Sequence, residues 1–136
     1  RSTLFPYTTL FRSQPLERRC GIVSRGHDVY VNVAGGFSLQ DPASDLSICA
    51  ALASSLKDTR IPGDVCFIGE VGLAGEVRPA TRTHVRIGEA ARLGFRKAVI
   101  SARDSAGPAF HRKTGTRELE VVTVSTLSQM LEKGVK

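Results

Sequence analysis

Apolar and polar residues take turns from Asp28 to Ala34: Val29, Val31 and Val33 face one way, and Asp28, Tyr30 and Asn32 the other. A two-residue period is that of a half-buried strand, and Gly35-Gly36 ends it. Before it, residues 14–20 read as the end of a helix (Leu16, Glu17, Arg18, Arg19) closed by Gly21. After Asp41-Pro42 the period lengthens. Leu46, Cys49, Ala50, Ala53 and Leu56 recur at three- and four-residue spacing, so a helix that buries one face runs to about Lys57. Asp41 suits its N-cap, and Pro42 suits a first turn in which a missing N–H costs nothing.

Beyond the Ile61-Pro62-Gly63 turn, residues 65–68 are apolar throughout and predict a short buried strand. Residues 69–77 alternate around a glycine-bearing turn and predict a hairpin, which Pro79 ends. A second helix is expected over 85–93, with Gly94 beyond its end, then a strand over 97–101. A Gly-, Lys- and Arg-rich loop follows at 107–116, then a strand over 119–124 and a last helix capped by Ser125 and carrying Leu127, Met130 and Leu131. Strand–helix alternation interrupted by one hairpin predicts an α/β fold with a mixed sheet and helices.

The chain has 136 residues, 41% of them hydrophobic and 24% charged, as in one ordinary globular domain. No apolar run approaches the ~20 residues of a membrane helix, and the start does not read as a signal peptide. No membrane partner is therefore expected. The three cysteines, Cys20, Cys49 and Cys66, include no Cys-x-x-Cys pair, which argues against a disulfide scaffold or a structural zinc site and makes a reducing, cytoplasmic location the expectation. Cys49 and Cys66 sit in apolar runs as small core residues.

The formal charge of +6 favours an acidic partner such as nucleic acid, or else a solvated basic surface. Residues 3–13 read Thr-Leu-Phe-Pro-Tyr-Thr-Thr-Leu-Phe-Arg-Ser, which resembles the in-frame translation of a sequencing adapter. On this reading residues 1–13 are an artefact and 14–136 form a domain truncated at its N-terminus. Leaving out Arg1 and Arg12 lowers the charge to +4.

Several stretches together resemble the Lon-protease-like C-terminal domain of the RadA (Sms) family of bacterial DNA-repair proteins. They are Asp28-Val-Tyr-Val-Asn-Val-Ala-Gly-Gly36, Asp41-Pro-Ala-Ser-Asp-Leu46, Phe67-Ile-Gly-Glu-Val-Gly-Leu-Ala-Gly-Glu-Val-Arg-Pro79 and Glu89-Ala-Ala-Arg-Leu-Gly-Phe95. The resemblance runs from about Leu16 to the C-terminus. It implies the fold shared by Lon protease domains and the second domain of ribosomal protein S5. It also implies a part in a ring-forming, ATP-driven motor acting on DNA, with homo-oligomeric assembly and sequence-nonspecific DNA contact. The family's zinc finger and Walker-type ATPase come earlier in its chain. Neither Cys-x-x-Cys nor Gly-x-x-x-x-Gly-Lys-Ser/Thr occurs here, so no cofactor is expected in this segment, and ATP and zinc only in an upstream part.

Active Lon proteases use a serine–lysine dyad. Matching Pro42 and Pro79 to the family's prolines puts Ala43 at the nucleophile and His84 at the lysine, so no catalytic residue is expected. The rival register uses Ser44 as nucleophile and His84 as base, giving a degenerate Lon-like serine peptidase. One residue along a helix turns a side chain by ~100°, which favours Ser44 as a first-turn residue and His84 as a surface residue. His27 and His111 lack a partner at metal spacing. Asp45 complements the helix dipole, and Glu70 and Glu76, flanking the hairpin turn, read equally well as paired carboxylates or as exposed strand charges.

Arg78, Arg82 and Arg86 recur every four residues, a spacing that shares a face wherever the chain is helical. They are the candidate DNA contacts. Arg92, Arg96, Lys97, Arg103, Arg112, Lys113 and Arg117 supply further basic surface, able to hold phosphates without reading bases. The remaining alternative is an oligomerisation platform with no DNA contact.

Overall fold

The structure is a computed structural model that describes residues 40–104 and 119–134. The predicted helix end at 14–20, the strand at 28–34 and the basic loop at 107–116 lie outside the described residues. So do residues 1–13, Cys20, His27, His111, Arg112, Lys113 and Arg117.

A 3-10 turn, Pro42–Ser44, leads into α1, Asp45–Lys57, which ends as Asp58 turns left-handed at φ 49°. Strand β1 is Val65–Ile68, and β2 (Glu70–Val71) pairs with β3 (Val77–Arg78) as an antiparallel hairpin. Helix α2 covers Thr83–Arg92, β4 is Lys97–Ser101, β5 is Glu120–Val124 and α3 is Leu127–Gly134. A three-stranded parallel sheet runs β1-β4-β5. Parallel and antiparallel pairings with helices give the α/β class.

Burial on both faces explains why β1 and β4 read as nearly continuous apolar runs. Side chains alternate across β4. Val99 joins the cluster that includes Leu46, Cys49 and Ala53 of α1, Phe67 of β1, and Leu127 and Met130 of α3. Its neighbours Ala98 and Ile100 join Ile87, Ala43 and Ile68 on the other face, against α2. Each fully buried aliphatic side chain contributes roughly 1.5–3 kcal/mol relative to exposure. Gly134 lets α3 press onto the sheet, since a Cβ there would lie 2.8 Å from a Phe67 ring carbon and 3.2 Å from Val99.

The hairpin is tied down on its outer side. Val77 N donates to the Ser125 carbonyl at 2.9 Å, Leu127 N donates to the Gly75 carbonyl at 3.0 Å, and Glu76 and Thr126 form a β-bridge. On its inner side the fully buried Ser101 hydroxyl donates to the Val77 carbonyl at 2.9 Å and accepts from the Arg103 amide at 3.2 Å.

Two boundaries differ from the sequence expectation. Helix α2 begins at Thr83 rather than Val85. Arg82 swings into the left-handed region at φ 57°, and the Val85 and Arg86 amides both donate to its carbonyl. The last helix is capped by Thr126 rather than Ser125. The Thr126 hydroxyl accepts from the Gln129 amide at 3.3 Å, and the Gln129 side chain reaches back to accept from the Ser125 amide at 2.8 Å, a capping box displaced by one residue.

Candidate functional site

The resemblance to Lon enzymes directs attention to the entry into α1. Asp41 stands in extended backbone, and its carboxylate accepts from the Ala43 amide at 3.0 Å. Gly69, just past β1, closes the turn from the other side. Its amide donates to the Ala43 carbonyl at 2.9 Å, and its carbonyl accepts from the Leu46 amide at 3.0 Å. Ala43 is therefore buried and fixed at both ends.

Ser44 uses its hydroxyl locally, donating to the Asp41 carbonyl at 2.7 Å. His84 is exposed, one residue into α2. Among the hydrogen bonds of the described residues none joins Ser44 to His84, and no group of three or more His, Cys, Asp or Glu is placed to hold a metal ion.

An ion pair spans the same entry. Arg86 donates through Nη2 to the second Asp41 carboxylate oxygen at 2.6 Å and through Nε to the Thr81 carbonyl at 2.8 Å. The start of α2 is thereby latched to the start of α1. The Ala43 amide, and after it the Arg86 guanidinium, hold the Asp41 carboxyl below its ordinary range. Asp45, in the first turn of α1, is buried and accepts from the Val71 amide at 3.4 Å. Its carboxylate joins helix to hairpin in addition to meeting the helix dipole.

The three candidate arginines do not share a helix face. Arg78 is in β3, Arg82 is the N-cap residue of α2, and only Arg86 lies within the helix. Their surroundings also differ. The Arg78 Nε and Nη2 both donate to Glu76 Oε1, at 3.1 and 2.6 Å, and Nη1 lies 3.7 Å from Glu70. Glu70 and Glu76 are thus partners of an arginine rather than free strand charges. The Glu76 carboxyl is lowered by backbone hydrogen bonding and by Arg78. Arg82 is exposed and has no salt bridge among the described residues, and no side chain caps the helix it begins. Arg92 pairs with Glu89, Lys97 lies 3.7 Å from Glu120, and Arg96 and Arg103 are exposed.

Sequence reasoning missed the Asp41–Arg86 pair and the Ser101 hub. The partners are 45 and 24 residues apart, and no local pattern announces such contacts. The Glu76–Arg78 pair had a readable signal, since residues two apart on a strand share a face. No helix of the described residues is long and apolar enough to cross a membrane.

Comparison with known proteins agrees with this geometry. Residues 11–136 match the Lon protease (S16) C-terminal proteolytic domain family. The chain is 40% identical over 118 residues to the DNA repair protein RadA of Streptococcus pneumoniae, covering 87% of this chain and 27% of that protein. It is 42% identical over 116 residues to the DNA repair protein RadA of Bacillus subtilis, covering 85% and 24%. With the DNA repair protein RadA of Halalkalibacterium halodurans the identity is 41% over 117 residues, covering 86% and 24%. The chain spans about a quarter of the length of these curated relatives. It belongs to the Lon protease C-terminal domain family and is, within it, a C-terminal Lon-like domain of the RadA kind.

Proposed function

We propose that this domain is a non-catalytic, DNA-contacting and ring-forming module of a RadA-like, ATP-dependent DNA repair motor acting in the cytoplasm. ATP and zinc belong to other parts of such a protein. The relationship to DNA repair proteins supplies the context. Ala43, with no nucleophile and its amide given to Asp41, supports a lost peptidase site.

The observation that carries DNA contact is Arg82. A non-glycine residue held in left-handed backbone costs about 1–2 kcal/mol, and here that residue is an exposed arginine at the positive end of α2. Helix N-termini and guanidinium groups both favour phosphate. The exposed Val85 on α2 and Leu93 just past its end, 55% and 65% accessible, offer apolar surface for assembly and support the ring-forming part.

The test is fluorescence anisotropy with labelled random-sequence duplex DNA over a range of salt. Binding should be weak, sequence-tolerant and salt-sensitive. Arg82→Gly, a change that suits the backbone, should weaken it and reduce the salt slope by about one without loss of thermal stability. Unchanged binding would remove Arg82 from the account, and casein turnover abolished by Ser44→Ala would restore the peptidase reading.

A further inference from the structure

The three arginines differ in one respect that bears on how the domain would meet a polyanion. Arg78 is gripped by the Glu76 carboxylate through two N–H groups with Glu70 nearby, and Arg86 by the Asp41 carboxylate. Arg82, between them in sequence, has no such partner among the described residues. Two guanidinium groups of a candidate phosphate-binding set are thus already occupied by internal anions.

We infer that Asp41 and Glu76 are autoinhibitory carboxylates: they stand in for phosphate on Arg86 and Arg78 and hold down the domain's affinity for a polyanion. The inference rests on the DNA-contact reading and adds a regulatory layer to it. Carboxylate and phosphate offer a guanidinium the same charge-assisted hydrogen bonds, so binding at these arginines is an exchange of one anion for another.

The geometry allows that exchange. The side chains of Arg78 and Glu76 are 49% and 31% exposed, and those of Arg86 and Asp41 34% and 51%. Water and ligand reach both pairs, and ion pairs this exposed are weak enough to open. Each carboxylate also has a backbone partner, the Ala74 amide for Glu76 and the Ala43 amide for Asp41. These bonds keep the mask in place when the arginine leaves. A single phosphate competes poorly, whereas a polyanion held elsewhere on the domain presents many phosphates at high effective concentration.

The variants that test this keep the local structure. Asp41→Asn preserves an N-cap side chain, since Asn caps helices about as well as Asp. Glu76→Gln preserves an acceptor for the Ala74 amide. Glu120→Gln is the control, removing the same charge from the Lys97 pair, where β4 and β5 begin. Affinity for the labelled random duplex is measured for the whole chain and each variant by anisotropy at several salt concentrations.

Asp41→Asn and Glu76→Gln should each tighten binding by about twofold to fivefold, and together by more. Each should steepen the salt dependence by up to about one phosphate per freed arginine. Glu120→Gln should change affinity less and leave the slope alone. Equal effects of all three variants, or weaker binding on unmasking, would overturn autoinhibition while leaving DNA contact intact. If neither the parent chain nor any variant binds at low salt, the DNA-contact reading fails, and the masking inference with it.

Discussion

Gly134 and Gly88 both lie in helices, and their surroundings assign them opposite sensitivities. A methyl group at Gly134 would press into Phe67 and Val99, whereas nothing lies within 4 Å of one at Gly88. Gly134→Ala should therefore destabilise the domain by about 1–3 kcal/mol through overpacking. Gly88→Ala, within α2, should stabilise it by about 0.5–1 kcal/mol through helix propensity. Chemical denaturation of both variants checks this, and a shift of the same sign in both would show that packing does not distinguish them. At this scale the sequence revealed identities better than conformations. The methyl group at Ala43 and the cap at Asp41 were legible from a motif and a helix-start rule. The left-handed backbone of Arg82 was not, because arginine carries no preference for that region.

Elements were legible where their periodicity was unambiguous. The apolar spacing of α1 ended at Lys57, and the run of residues 97–101 became β4, because buried faces leave a direct imprint on residue order. The errors fell at helix starts. There Arg82 and Thr126 are set by hydrogen bonding rather than hydrophobicity. The link between α1 and α2 through Asp41 and Arg86 left no local trace at all. Because the Asp41 carboxyl titrates below its ordinary value of 3.8 in the folded chain, its contribution is complete above that value and is lost as pH falls through the lowered one. Asp41→Asn keeps the cap but loses the ion pair, so at neutral pH it should cost about 1 kcal/mol or less, as expected of an exposed pair. Thermal midpoints of the two proteins should converge as the pH drops below the ordinary aspartate range. A gap that persists in strong acid would assign the cost to something other than the Asp41 charge.

For the molecule as a whole, the α/β class followed from the order of elements, but the strand order β1-β4-β5 did not. Pairing between strands about 30 residues apart is decided by how helices cover the two faces, which periodicity cannot report. Charge is also unevenly shared along the chain. The described residues contain ten Lys or Arg and ten Asp or Glu, so the formal +6 of the chain resides in residues 1–39, 105–118 and 135–136. A DNA-contacting role therefore depends on which individual cations are free, not on net charge in the described region. The family match spans residues 11–136. If residues 1–13 are an adapter-derived addition, their deletion should leave the thermal midpoint within error. A drop of several degrees in a melting experiment would make the segment part of the domain.

The seam between the hairpin and the start of α3 has a kinetic consequence. A hairpin of two residue pairs is marginal by itself, and among the described residues its outer edge is closed by residues 125–127, about fifty positions further along the chain. Closure over that distance must meet the entropy of the whole intervening loop before any bond repays it. In chain order the hairpin precedes the segment that closes it, so its completion should wait on residues 125–127.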